Sequence, residues 1–114
     1  MDSLTPIQQG TTLLVHFNGE VTLSSASSLR AEVESYMEQN KIDHLVIDMQ
    51  HVDFIDSSGV GMLVALKTQM ASRSKSLFLL NPSGQVRSTI DLVHLSSFFQ
   101  ILEGDDEILD LLPE

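Results

Sequence analysis

The chain contains no cysteine. That excludes a disulfide framework, a thiolate zinc site and a cysteine nucleophile. Basic residues are scarce: six Lys and Arg stand against sixteen Asp and Glu, a formal charge of −10. A phosphate backbone or an anionic membrane surface would repel such a chain, so neither nucleic acid nor membrane is expected as a partner. A cationic or locally basic protein surface is compatible with it. No apolar run approaches the ~18 residues of a membrane span. The opening MDSLTPIQQG has neither a positive start nor an apolar stretch, so no signal peptide is expected and a cytoplasmic location is. His16, His44, His51 and His94 show no metal-ligand spacing and read as surface or structural residues, so no metal and no cofactor are expected. Gly-x-Ser-x-Gly is missing too, and no paired carboxylates or basic-aromatic patch suggests hydrolysis or nucleic-acid binding. A small hydrolase therefore lacks both a base partner and a motif. No catalytic residue is assigned, and no enzyme is expected.

What is present is an ordinary globular composition, 42% apolar over 114 residues, enough for one compact domain. TTLLVHFNGEV alternates, with Leu13, Val15 and Phe17 on one face and Leu14, His16 and Asn18 on the other: a strand, ended at Gly19. Ile7 to Gln9, before Gly10, reads as its hairpin partner. Ala26, Leu29, Val33 and Met37 then mark an amphipathic helix, capped by Ser24 or Ser25 and stopped at Asn40. HLVIDM has the almost wholly apolar character of a strand covered on both faces. SGVGMLVALKTQMASR is helical again through Val60, Leu63, Val64 and Leu66, with Arg73 in its last turn. SLFLL is a central strand closed by NPSG, and QVRSTIDLVH places Val86, Ile90 and Val93 on a third helix. FFQIL reads as a short edge strand and DDEILDLLP as a terminal helix. Such alternation implies a mostly parallel sheet with helices packed on it.

The informative stretch is HVDFIDSSGVGML, where a strand gives way to a helix. Open α/β sheets commonly work at that carboxyl edge. Asp56 suits an N-cap, Ser57 and Ser58 fall in the first turn, and Gly59 and Gly61 leave little bulk around them. Capping alone would account for an acid-serine-serine-glycine string. The same string also suits phosphorylation: a phosphate at a helix N-terminus meets free amides and a favourable dipole. It would add roughly 1.5 to 2 negative charges beside Asp53 and Asp56, a change a docking partner would feel more than the core.

VIDMQHVDFIDSSGVGMLVALKTQM resembles the signature of the STAS domains, specifically the bacterial anti-sigma factor antagonists. The likeness extends through Gly19, Glu20 and Val21 of FNGEV and through LFLLNPSGQVRSTIDLVHLSSFFQI. It implies one STAS domain over residues 1–114: an α/β fold with a four- to five-stranded, mixed but mostly parallel sheet and about four helices mainly on one face. It also implies that Ser57 is the phosphorylated residue, Ser58 being a helper or a plain first-turn residue. Asp56 would position the hydroxyl, and Gly59 would let a partner's backbone approach. Glu20 and Thr22 are further contact candidates; the family usually has Asp where this chain has Thr22, which bears on which kinase is recognised and how tightly. Met62 and Met70 fall on one side of their helix and read either as core filler or as an adaptable exposed patch, which makes Met62 a contact candidate.

The resemblance further implies partner switching. Unphosphorylated, such a protein sequesters an anti-sigma factor that is also an ATP-dependent serine kinase and so frees a sigma factor. Phosphorylation releases the partner, and a PP2C-type phosphatase resets the cycle. A monomer is expected. The alternative is a STAS subunit that scaffolds a stressosome-like or lipid-transport assembly without cycling a phosphate.

Overall fold

The computed structural model describes residues 3–104; the terminal helix expected within 105–113 lies outside the described residues. The elements run β1 (Ser3–Gln9), β2 (Thr12–Val21), α1 (Ala26–Gln39), β3 (His44–Ile55), α2 (Ser57–Ser72), β4 (Ser76–Leu80), α3 (Gly84–Leu92) and β5 (Gln100–Leu102). They build one five-stranded sheet in the order β1-β2-β3-β4-β5. β1 pairs antiparallel with β2 as a hairpin, and every other pair is parallel. The expected mixed, mostly parallel α/β architecture is therefore observed, with three helices among the described residues.

Parallel neighbours need crossovers, and right-handed crossovers that always step the same way across a sheet leave their helices on one face. Leu13, Val15 and Phe17 of β2, Leu45 and Ile47 of β3 and Leu77 and Leu79 of β4 form one buried cluster with α1 (Leu29, Val33), α2 (Leu63, Leu66, Met70) and α3 (Val86, Ile90). The opposite face holds a smaller cluster, Val46 and Leu80 flanked by Leu14, Phe78 and Leu102. On that face the buried Asp48 is satisfied by His16 Nδ1 at 2.7 Å and by the Gln50 amide at 3.0 Å, which gives His16 a structural role.

Several expected boundaries shift for identifiable reasons. β2 does not end at Gly19. Only glycine adopts φ +89 without strain, and there the register with β3 slips before pairing resumes at Glu20–Phe54 and Val21–Ile55. β3 runs six residues past HLVIDM to Ile55, because Val52 and Ile55 keep facing the core while Gln50, His51, Asp53 and Phe54 face solvent. Ser25 sits at the N-cap of α1 but makes no capping bond; its hydroxyl donates to Glu20 O and accepts from the Thr22 amide, closing the β2–α1 loop. Val93 is exposed because α3 stops at Leu92. Phe99, expected in the last strand, precedes it and is buried, edge-on to Phe98.

Candidate functional site

The end of β3 and the start of α2 are set by Asp56. Its backbone is extended, and its Oδ1 accepts a hydrogen bond from the Gly59 amide at 3.0 Å, capping α2. Its Oδ2 accepts from the Leu23 amide at 3.2 Å, and its own amide donates to Val21 O at 3.3 Å. One carboxylate thus ties the β2–α1 loop to the β3–α2 turn. Asp56 was expected to position the serine hydroxyl; both its oxygens bond backbone amides, so any placement of Ser57 by Asp56 runs through the main chain. Asp56→Ala, which removes a cap and a cross-loop bond, is expected to cost about 1–2 kcal/mol, read as a lower urea midpoint with unchanged slope.

Ser57 is the first residue of α2 and is exposed; among the described residues its hydroxyl has no hydrogen-bond partner. Ser58 is half-buried. The two glycines divide their roles differently from expectation. A Cβ at Gly59 would lie 2.3 Å from Val21 O and 2.5 Å from Ile55 Cγ1, so this glycine faces inward and lets α2 close onto the ends of β2 and β3. It does not receive a partner's backbone. Gly61, where a Cβ would meet nothing within 4 Å, is the exposed one.

Gly61 lies in a shallow depression between α1 and α2 that is also lined by Leu23, Ala26, Arg30, Ser58 and Met62. Met62 is 5% exposed and Met70 2%, both inside the main core. The exposed methionine patch is thereby corrected: these side chains belong to the main core, and Met62 also lines the depression. Glu20 is exposed beside Phe54 in register. Thr22 is half-buried, its hydroxyl bonded to Ser24 Oγ at 3.0 Å and its carbonyl accepting from the Ser25 and Ala26 amides. Glu20, Thr22, Asp56, Ser57 and Ser58 therefore do gather at one carboxyl edge of the sheet.

Two site features were not visible as such in the sequence. Leu23 (79% exposed) and Phe54 (43%) are large apolar side chains presented to solvent on the two segments that Asp56 joins. Gln85 and Ser83 of the third crossover reach back to the β3 end, at Ile55 and Val52. The pairing partners lie about thirty residues away, and no local pattern announces them.

A family model described as the STAS domain matches residues 3–107. The chain belongs to the STAS domain family. This STAS domain is 21% identical over 102 residues to an anti-sigma F factor antagonist of Paenibacillus polymyxa, covering 90% of this chain and 85% of that protein. It is 26% identical over 84 residues to sulfate transporter 3.1 of Arabidopsis thaliana, covering 65% of this chain but only 13% of the transporter. Among solved structures, the anti-sigma factor antagonist SpoIIAA in its unphosphorylated form matches at TM-score 0.81 and 21% identity, over 96% of this chain and 95% of that one. The phosphorylated form of the Bacillus protein matches at 0.73 and 20% identity, over 97% and 98%. At these identities the structural likeness establishes the STAS fold. Among the described residues no helix is long and apolar enough to cross a membrane, and no group of three or more His, Asp and Glu side chains converges on a common point.

Proposed function

We propose that this protein is an anti-sigma factor antagonist: a single-domain binding module that holds an anti-sigma factor of the ATP-dependent serine kinase type and lets it go when Ser57 is phosphorylated. A PP2C-type phosphatase returns it to the binding form, and the cycle runs in the cytoplasm. The observation that carries the reading is the exposed Ser57 hydroxyl, unpaired among the described residues, at the first position of α2. Accessibility is the first requirement of an acceptor. The helix N-terminus behind it would tolerate the added charge. The surroundings suit docking: Leu23 and Phe54 offer apolar anchors, with Glu20, Asp53 and Asp56 as acids around them. A likeness over most of its length to a protein named anti-sigma F factor antagonist supports the same choice.

The scaffold alternative draws its support from the likeness to a small part of a sulfate transporter. A non-cycling subunit has no need of an accessible acceptor in the middle of its docking surface, so the switch is preferred. Incubation with ATP and a candidate kinase, followed by intact-mass and peptide analysis, separates the two. A gain of one phosphate mapped to Ser57 supports the switch, and its absence with every kinase that binds the protein favours the scaffold. Leu23→Ala and Phe54→Ala are each expected to weaken kinase binding by about 1–2 kcal/mol while altering unfolding free energy by less than about 0.5 kcal/mol. Isothermal titration alongside urea denaturation checks both halves.

A further inference from the structure

We propose that Gln85 is a positioning residue for Ser57, standing in for the strand that the outer edge of β3 lacks. The inference rests on the reading of Ser57 as the acceptor. β4 pairs with β3 only from His44 to Asp48, whereas β2 accompanies β3 as far as Ile55. Beyond Asp48 the other edge of β3 has no strand neighbour among the described residues, and its buried peptide groups need partners. Gln85, in the first turn of α3, supplies them at Ile55. Its Oε1 accepts from the Ile55 amide at 2.8 Å, and its Nε2 donates to the Ile55 carbonyl at 3.1 Å.

A primary amide carries the same donor and acceptor as a peptide, so this doubly bonded contact reproduces one rung of a ladder. Its orientation is fixed independently. The Thr89 hydroxyl donates to Gln85 O at 3.0 Å and so accepts from Gln85 Nε2, also at 3.0 Å. Two residues earlier, at the N-cap of α3, Ser83 Oγ donates to Val52 O at 2.8 Å. The start of α3 therefore grips β3 at Val52 and Ile55, two residues before Ser57, while Asp56 grips from the β2 side. With Gln85 removed, β2 still pairs with Ile55 and Asp56 still reaches Val21, so the fold survives while the acceptor's placement loosens. Group transfer is steeply sensitive to such placement.

The test has two arms on the full chain. In the first, amide exchange followed by NMR compares wild type with Gln85→Ala and Gln85→Asn, whose amide is one methylene too short. The Ile55 amide is expected to exchange at least about tenfold faster in both variants, with Leu45 and Leu79 protected as in wild type after correction for global stability. In the second, steady-state phosphorylation uses ATP and the kinase that modifies wild type. Both variants are expected to lose about tenfold in kcat with KM unchanged, since Gln85 acts behind the docking surface. Unchanged Ile55 exchange overturns the proposal, as does a rate loss carried by KM or matched by the fraction unfolded. If wild type gains no phosphate at Ser57, the acceptor reading fails, and the exchange arm alone decides whether Gln85 holds the turn.

Discussion

Gly59→Ala is expected to destabilise the protein by about 3 kcal/mol, the upper end of the usual cost of overpacking. The added methyl would stand 2.3 Å from Val21 O, a backbone atom that also accepts from the Asp56 amide, and 2.5 Å from Ile55 Cγ1. No flexible side-chain end is available to yield. Either α2 lifts from the sheet, which breaks the Asp56 cap, or the ends of β2 and β3 part. At about 4 °C per kcal/mol for a chain of this size, Tm should fall by about 12 °C. Gly61→Ala is the matched control. Its methyl meets nothing within 4 Å, and an alanine in place of a helix-interior glycine should add about 0.5–1 kcal/mol. Thermal unfolding of the two variants side by side checks this contrast, and a Gly59→Ala protein as stable as wild type would refute the assigned packing.

The second large effect concerns binding. Under the proposed function, Ser57→Asp is expected to weaken association with the proposed partner kinase by about 2–4 kcal/mol, roughly 30-fold to 1,000-fold, because an unpaired charge is forced into a desolvated contact. The fold should hardly notice. An acid in the first turn gains from the helix dipole, repulsion from Asp56 offsets that gain, and the net change in stability should stay within about 0.5 kcal/mol. Ser57→Ala, small and neutral, should bind within a few-fold of wild type and take up no phosphate. Titration of both variants against the kinase reads the difference directly. An aspartate variant that binds like wild type would show that charge at this position does not control docking.

How much of this was legible in the sequence depended on whether the signal was local. β4 is SLFLL to the residue because a short apolar run between turn-forming residues has one interpretation. The second half of β3 was obscure. QHVDFI interleaves exposed polar residues with Val52 and Ile55, and a side-chain amide rather than a strand holds its outer edge at Ile55. The slip at Gly19 looked like a terminus because glycine signals both a bulge and an end. At the candidate site, the Asp56 cap and the exposed first-turn position of Ser57 were readable from capping chemistry. The inward role of Gly59 was not, since it depends on Val21, nearly forty residues earlier. Met62 and Leu23 were hard for the opposite reason: sequence records that a residue is apolar, whereas the fold decides which one packs the core and which one stands in solvent.

The most direct measurement is the affinity of one purified kinase for two preparations of the wild-type chain, one unmodified and one carrying a single mapped phosphate. The account predicts that the phosphate is on Ser57, that the unmodified protein binds at least 30-fold more tightly, and that phosphatase treatment restores the tight form. Equal affinity for the two preparations, or a phosphate found on another residue with Ser57 untouched, would contradict it.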